Sequence, residues 1–359
     1  MTLRAGFVME QVLGHVSHYR TLRAVLDDEP AIDPRWIEVT YEGAGRLERL
    51  SAIPAPVRST LRGFLQVRDG LRNGRLDAVL FHTQKPAVFQ WDVMARTPTV
   101  LSLDVTPRQY DDLGAFYDHA PDSDGVVART KHWLNERTFS LARLIVVWSS
   151  WVKDSLVADY GIPADRVRVI PPGVDLRSWT ATDRSTRRTQ PRILFVGGDF
   201  ERKGGPLLLD WYREHARGRC ELDIVTRADL AEEPGVHVYH GIAGNSPEAR
   251  RLFTQADVFV LPSLGECFGI ASVEAMASSL PVIATNVGGA ADIVDHEQTG
   301  FLIEPNDPHA LGSALDRLVD DPQLRRAMGS HGRRKAEQRF DGTNNARAIL
   351  SCLREAAAA

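Results

Sequence analysis

The sequence has few cysteines and no long apolar segment. Its three cysteines are odd in number and far apart, so they match neither a disulfide framework nor a zinc site; they are Cys220, Cys267 and Cys352. The N-terminal residues lack the long apolar core of a signal peptide, and no uninterrupted apolar run approaches a membrane span. We therefore expect a cytoplasmic protein in a reducing compartment.

The chain also has no large excess of either charge. Lys and Arg number 43 and Asp and Glu number 47, giving a net charge of -4, so no global basic field favours nucleic acid. Five arginines nevertheless alternate with leucine and phenylalanine in the stretch Arg58–Arg75. A basic amphipathic helix is typical of proteins that lie on anionic membranes, but it is more often a surface helix that buries one face. Peripheral membrane contact through Arg58–Arg75 is kept as an open interpretation.

Short apolar runs alternate with helical patterns along the 359 residues, which are more than one hydrophobic core usually holds. The predicted strands are Gly6–Met9, Ala78–Phe81, Thr99–Leu103, Leu144–Trp148 and Val167–Ile170, then Arg192–Val196, Glu221–Val225, Val236–Tyr239, Val258–Leu261 and Pro281–Ala284. The predicted helices include Ser17–Leu26, Val57–Leu71 and Lys131–Ser140. A polar linker, Leu176–Gln190, separates the two series of strands. The pattern predicts an α/β protein of two Rossmann-like, doubly wound domains that face each other across a cleft.

The most informative segment contains two glutamates, Glu266 and Glu274, around a Phe-Gly pair. Glu266 follows a predicted strand, and Glu274 lies about a turn and a half into the next helix, predicted over Gly269–Ser278. Ligands bind at this end of a parallel sheet, and the amides of Cys267 to Gly269 would point from the helix N-terminus at an anion. Two carboxylates beside an anion are costly unless they accept hydrogen bonds from hydroxyls. A sugar joined to a ribose through a diphosphate offers that arrangement.

A second segment places cations after a glycine turn. The strand ending at Val196 is followed by Gly197 and Gly198, and then by Arg202 and Lys203. Flexible backbone and two positive charges suit a diphosphate. The alternative is a solvated turn with surface cations, but the position upstream of the paired glutamates favours the diphosphate. A P-loop is a poor alternative, because no Gly-Lys-Ser/Thr follows at the required spacing.

Together these motifs resemble the retaining glycosyltransferases of family GT4 (glycosyltransferase group 1), which have the GT-B architecture. The segment Ile170–Asp175 is similar to the family's Ile-Pro-Asn-Gly-Val-Asp hinge, with Pro172 in place of Asn. Gly288 and Gly289 match glycines that approach the donor phosphates, or form a plain turn. The resemblance implies an acceptor-side domain over 1–176, a nucleotide-sugar-binding domain over 177–339, and a C-terminal segment from about 340 to 359 that packs back on the first domain.

The resemblance also implies roles for single residues. Glu266 would hold hydroxyls of the transferred sugar, and Glu274 would accept both ribose hydroxyls. Gly198 stands where many members carry a phosphate-binding Arg, so we expect Arg202 to supply that charge beside Lys203. The remaining donor-binding residues would be Gly14, Thr226, Cys267, Phe268 and Gly269. The donor phosphate would take the acceptor's proton, so neither a protein nucleophile, a metal nor a cofactor is expected.

The first domain carries a departure from the family and a short histidine motif. Asp104 stands where members often have a His that touches the sugar; its carboxylate either binds a sugar hydroxyl, relays a proton, or caps the next turn. Gly14 opens a loop with one glycine of the usual pair, and His15 and His18 follow it. Two histidines without an evident third ligand favour loop or cap histidines over a metal site. We attribute the Asp122-Ser-Asp124 match to metal-dependent transferases to chance.

The sequence thus predicts a retaining, metal-independent hexosyltransferase. It would move a sugar from a nucleoside diphosphate donor to a hydroxyl of a carbohydrate, lipid or small-molecule acceptor. Two alternatives stay open. One is a non-hydrolysing nucleotide-sugar epimerase of GT-B fold, and the other is a catalytically silent nucleotide-sugar binding protein. The motifs name neither the sugar, the nucleobase nor the acceptor.

Overall fold

The computed structural model describes residues 2–12, 14–42, 55–72, 74–117, 119, 125–180 and 190–358. They form two compact units. Unit 1 comprises Met1–Gly114, Ala120–Pro171 and Thr343–Ala359, and unit 2 comprises Ala115–His119 and Pro172–Gly342. Asp122 and Asp124 lie outside the described residues, as does most of the predicted linker.

Strands and helices alternate through both units. The strands are β1 Leu3–Glu10, β2 Ile32–Val39, β3 Ala78–His82, β4 Thr99–Leu103, β5 Leu144–Val147, β6 Val167–Val169, β7 Arg192–Val196, β8 Glu221–Val225, β9 Val236–Tyr239, β10 Val258–Leu261, β11 Val282–Thr285 and β12 Gly300–Ile303. The α-helices are α1 His15–Leu26, α2 Ala55–Leu71, α3 Trp91–Met94, α4 Pro107–Asp112, α5 Val126–Leu141, α6 Ser150–Tyr160, α7 Gly205–Trp211, α8 Pro247–Gln255, α9 Ile270–Ala277, α10 Ala290–Ile293, α11 Pro308–Asp320, α12 Pro322–Arg339 and α13 Gly342–Ala358. Among the described residues we find no helix with the length and hydrophobicity of a membrane span.

Unit 1 is built on a parallel sheet of order β2-β1-β3-β4-β5-β6. Successive strand residues face opposite sides, so the sheet has two apolar faces. Val8, Phe81 and Leu101 belong to one core, and Phe7 and Leu80 belong to the other. The second core also contains residues of α13, namely Ala346, Ile349, Leu350 and Leu353. The C-terminal helix is therefore an integral part of unit 1.

Unit 2 has a parallel sheet of order β12-β11-β10-β7-β8-β9. The chain runs outwards from β7 to β9 on one side and from β10 to β12 on the other. The loops after β7 and β10 therefore leave neighbouring strands in opposite directions, which opens a crevice at their carboxyl ends. In unit 1 the same reversal occurs at β1 and β3. These two switch points are where a doubly wound sheet binds ligands.

The predicted strands are all present, five of them with the predicted bounds. Two strands, β2 and β12, were not among those predicted. The β2 segment contains Pro34 and alternates apolar with charged residues, which argues against a buried strand. The structure explains it, because β2 lies at the edge of the sheet, where a proline need not donate to a second neighbour.

Candidate functional site

The switch point of unit 2 brings the two predicted donor motifs together. The Leu264 N–H donates to the Arg202 carbonyl at 2.8 Å, joining the loops after β10 and β7. Gly204 has φ +73°, and a Cβ there would lie 1.9 Å from the Pro262 carbonyl oxygen. This close approach requires glycine, and it fixes the cationic loop against the end of β10.

Glu266 and Lys203 form an ion pair at this point. The Lys203 ammonium donates to Oε2 of Glu266, and both side chains are largely enclosed. Oε1 of the same carboxylate accepts the backbone N–H of Cys267 at 3.2 Å. Two of the groups predicted to meet an anion, the Lys203 ammonium and the Cys267 amide, therefore lie within reach of one carboxylate.

Glu274 lies on α9 and is buried. Within the described residues its carboxyl group has no hydrogen-bond or ion-pair partner. Burial raises the pKa of Glu274 to about 8, because the charged form loses its hydration. A buried carboxyl group of this kind is stabilised as an anion by hydroxyl donors.

The other donor-binding candidates surround α9 and the end of β8. Gly269 is the N-cap of α9 and has φ +94°. The Phe268 side chain is buried, and its ring centroid lies 6.4 Å from that of Phe340. Only the backbone of Phe268 is therefore placed to meet a ligand. Thr226 follows β8 and is buried, with its hydroxyl accepting the Ala228 N–H at 3.2 Å. A Cβ on Gly288 would lie 2.0 Å from the Glu266 carbonyl oxygen, so this glycine allows the loop after β11 to approach the site.

Arg202 is held by neighbours within unit 2. Its guanidinium contacts Asp199 at 3.1 Å, the Gly265 carbonyl at 2.8 Å and the Tyr117 hydroxyl at 3.2 Å, and its side chain is 14% exposed. It also lies over the Tyr117 ring, and Tyr117 Oη is 3.6 Å from the Cys267 sulfur. Burial raises the pKa of Tyr117. Sequence reasoning missed Tyr117, because it belongs to no motif.

Arg227 is a residue to which the sequence assigned no phosphate contact. It follows β8, and its Nε donates to the Gly198 carbonyl at 3.1 Å. The neighbouring strands β7 and β8 end in register, with Val196 opposite Val225. The residues that follow the two strands therefore lie close together. The contact between Arg227 and Gly198 could have been predicted only from the pairing of β7 with β8.

The switch point of unit 1 gathers acidic and imidazole side chains. His15, the first residue of α1, lies with Nε2 3.1 Å from Oδ2 of Asp104 and with Nδ1 3.7 Å from Oε2 of Glu10. Gly14 is the N-cap of this helix. The helix after Asp104 is capped by the Thr106 hydroxyl, which accepts the Gln109 N–H. The capping interpretation of Asp104 is therefore wrong, and its carboxylate pairs with His15 instead.

Around His15 lie two further histidines and a tryptophan. His18 and His82 are fully enclosed, and the His82 ring stacks on Trp148 with centroids 5.4 Å apart. Burial lowers the pKa of His18 to about 3 and holds the pKa of His82 well below its usual value. Glu10 accepts hydrogen bonds from Thr83 at 2.8 Å and from Tyr41 at 2.5 Å. His82 and Glu10 were not among the predicted residues, because they lie inside strands that read as core.

In the part of the chain that the structure describes, His15, His18 and His82 do not form a metal site. No three His, Cys, Asp or Glu side chains gather there in an arrangement that holds a metal ion. Unit 1 presents carboxylates and the His15 imidazole, with His18 and His82 buried behind it, and unit 2 presents cations and two carboxyl groups.

Comparison with known proteins gives two family matches. Residues 24–178 match the model described as Glycosyltransferase Family 4, and residues 181–335 match the model described as Glycosyl transferases group 1. The chain is 34% identical over 226 residues to a D-inositol 3-phosphate glycosyltransferase of Paenarthrobacter aurescens, covering 56% of this chain and 55% of that protein. The chain thus spans about half the length of the first curated relatives it matches.

Two solved structures share the architecture over almost the whole chain. Sucrose-phosphate synthase from Thermosynechococcus elongatus has a TM-score of 0.76 at 17% identity, covering 98% of each chain. Anabaena HepE, solved in complex with UDP-glucose, has a TM-score of 0.69 at 18% identity, covering 98% of this chain and 100% of that one. At these identities the likeness shows the fold, which is GT-B. With both family matches and the paired glutamates in place, the chain belongs to the group 1, family 4 glycosyltransferases.

Proposed function

We propose that the protein is a retaining glycosyltransferase that moves a sugar from a nucleoside diphosphate sugar to an acceptor hydroxyl. The observation that supports this best is Glu274. It is a buried carboxyl group without a partner among the described residues, on the helix that follows the Lys203–Glu266 pair. A ribose presents two adjacent hydroxyls, which are the donors that such a carboxylate needs.

The site chemistry then divides between leaving group and sugar. The bond from the anomeric carbon to the diphosphate breaks, and the bond to the acceptor oxygen forms on the same face. Lys203 and the N-terminal amides of α9 offset the charge that grows on the diphosphate. Glu266 holds sugar hydroxyls, and the departing phosphate takes the acceptor's proton. Asp104 contacts the sugar or relays that proton.

Neither a metal nor an organic cofactor has a part in this proposal. A metal ion serves other transferases by neutralising the diphosphate, and here the Lys203 ammonium and the amides at the start of α9 are proposed to do so. The nucleotide sugar is a co-substrate of the reaction and not a cofactor.

The comparisons suggest which substrates to test first. HepE was solved with UDP-glucose, so UDP-sugars are the first donors. The relative named for D-inositol 3-phosphate points to a polyol or its phosphate as the first acceptor.

Peripheral contact with an anionic membrane is proposed for α2. Val57, Leu61 and Leu65 are exposed at successive turns of one helix face. Arg58 and Arg62 are close to them in sequence; Arg62 donates to the Tyr41 carbonyl at 3.0 Å, and Arg68 pairs with Asp92 at 2.8 Å. An apolar stripe with basic neighbours is the arrangement of helices that lie in a lipid interface.

The proposal is tested by offering UDP-, GDP- and ADP-sugars with inositol phosphate, sugar and lipid acceptors. Because a ligand that binds only the folded state raises its melting temperature, thermal shift identifies the donor, and NMR then identifies the product's anomeric configuration. A new glycosidic bond with the donor's configuration is expected. An isomerised donor without a new linkage would identify an epimerase. Binding without transfer or hydrolysis would identify a silent binding protein.

A further inference from the structure

The Gly197–Gly198 turn after β7 has a cationic side chain over each glycine. A Cβ on Gly197 would lie 2.9 Å from Cβ and Cγ of Lys203. A Cβ on Gly198 would lie 3.2 Å from Nε of Arg227 and 3.7 Å from its Cζ and Nη2. The two glycines thus leave room for two cations on one short turn at the switch point of unit 2.

Arg202, the residue expected to replace the arginine missing at position 198, is engaged elsewhere. Its guanidinium is occupied by Asp199, the Gly265 carbonyl and Tyr117, and the side chain is largely enclosed. These contacts join the loop after β7 to that after β10. The geometry gives Arg202 the part of a positioning residue that supports the loop bearing Glu266.

Arg227 has the opposite environment. It is exposed, and its guanidinium bonds the Gly198 carbonyl through Nε, while no carboxylate pairs with it among the described residues. The Arg227 backbone N–H also points at the Gly198 carbonyl, at 3.4 Å, so the residue is tied to the turn twice. Both terminal nitrogens of the guanidinium remain as donors, in the fork that matches two phosphate oxygens.

The charges around the turn favour the same residue. Lys203 is offset by Glu266 and Arg202 by Asp199, which leaves Arg227 as the cation without a compensating acid in this part of the described structure. An uncompensated guanidinium fixed at the carboxyl end of a parallel strand is a site for an anion. In a nucleotide sugar the anionic group is the diphosphate.

We propose that Arg227, and not Arg202, is the second cation that binds the donor diphosphate beside Lys203. Arg227 thereby replaces, from the neighbouring strand, the arginine that Gly198 lacks. This inference rests on the proposed function, since it assumes that a nucleoside diphosphate occupies the unit 2 switch point. It adds that the glycine at 198 and the arginine at 227 act as one pair.

The test measures the binding of UDP, GDP and ADP, and of the matching nucleosides, by calorimetry. For whichever diphosphate binds the parent, Arg227→Ala should weaken binding at least tenfold and leave binding of the nucleoside unchanged. Arg227→Gln, which keeps the side-chain length, should behave in the same way. Arg326→Ala removes an exposed arginine of α12 and should bind like the parent. Because Arg227 is exposed, melting temperatures should match.

Moving the arginine gives the sharper test. Gly198→Arg in the Arg227→Ala background should recover most of the lost diphosphate affinity, because the shortened side chain at 227 removes the 3.2 Å contact. Diphosphate binding by Arg227→Ala and Arg227→Gln equal to the parent's would overturn the inference. So would a selective loss in Arg202→Ala at unchanged melting temperature. If the parent binds none of the three diphosphates, the proposed function itself fails.

Discussion

Nε2 of His15 lies 3.1 Å from Oδ2 of Asp104, which joins the start of α1 to the end of β4. Burial of the ring favours neutral imidazole, but the attraction and hydrogen bond of Asp104, with Glu10 behind it, outweigh burial and raise the pKa of His15. The family position that often carries a histidine is thus an aspartate that pairs with His15 at the start of α1. An imidazole is present at this switch point after all.

Asp104→Asn should lower the pKa of His15 and destabilise the protein mainly at low pH. A histidine whose pKa is raised by folding stabilises the protein fully below its unfolded pKa of about 6.5, and this is lost as pH rises through the folded pKa. We expect a loss of roughly 1.5–3 kcal/mol at pH 5.5 and much less at pH 9. Urea unfolding at both values measures it, with Asp28→Asn as the exposed control. Equal destabilisation at both pH values would contradict the pairing.

The same variant should lower kcat much more than it weakens donor binding. Asp104 lies at the carboxyl end of a strand, where the sugar or the acceptor is proposed to lie. His15→Gln should share the effect if the two side chains act as a pair, because either change breaks their contact. Steady-state kinetics beside calorimetry separates the two quantities. Unchanged kcat in a folded Asp104→Asn protein would leave the pair with a structural role.

Glu274→Gln should change how stability depends on pH. Folding raises the pKa of Glu274 to about 8, so the folded state holds a proton that the unfolded state releases near pH 4.5. Unfolded chains then bind fewer protons between these values, and stability falls as pH rises through that window. The parent should lose about 2 kcal/mol between pH 5.5 and 7.5 relative to Glu274→Gln. Parallel denaturation curves for the two proteins would show that Glu274 does not titrate this way.

The strand pattern was predictable from the sequence, and the contacts between strand ends were not. Strands such as β4 and β10 are short, fully buried runs rich in Val and Leu between turn residues, and this local signal fixed their bounds. Glu266 and Glu274 were found because loop and helix are adjacent in sequence. His82, Glu10 and Arg227 reach their sites from strands far apart in the chain. Only the strand order places them, and the order is a property of the whole sheet.

EDTA should leave transfer largely intact. The proposal assigns neutralisation of the diphosphate to fixed cations and to the amides at the start of α9, which a chelator does not remove. Initial rates after exhaustive treatment with EDTA, with and without added Mg²⁺ or Mn²⁺, make the comparison. Complete loss of activity that either metal restores would refute metal-independent transfer.

Binding to vesicles that contain anionic lipid should depend on the exposed stripe of α2. Leu61→Ser with Leu65→Ser removes apolar area that would enter the lipid interface, so co-sedimentation should fall several-fold. Leu→Ser at buried positions would unfold the protein, whereas these side chains are exposed. Val157→Ser, an exposed apolar position on α6, is the matched control. Equal sedimentation of the parent with neutral and anionic vesicles would remove the membrane proposal.

The two glutamates should separate binding from catalysis. Glu274 is proposed to hold the ribose, which donor, transition state and released nucleotide share, so Glu274→Ala should weaken the free nucleoside diphosphate and the donor alike. A bidentate contact makes a loss of roughly 1.5–3 kcal/mol reasonable, about tenfold to over a hundredfold in affinity. Glu266 is proposed to act on the sugar, whose charge and geometry change during reaction. Glu266→Ala should therefore cut kcat.

The ion pair with Lys203 sharpens the second half of this prediction. Removing the Glu266 carboxylate frees the Lys203 ammonium for phosphate, so the bare nucleoside diphosphate should bind Glu266→Ala as well as it binds the parent, or more tightly. Calorimetry with the bare nucleotide and kinetics with the donor, run on both variants, distinguish the roles. If both variants bind the nucleotide like the parent and keep the parent's kcat, the carboxyl groups do not straddle a nucleotide sugar and the assignment of this site fails.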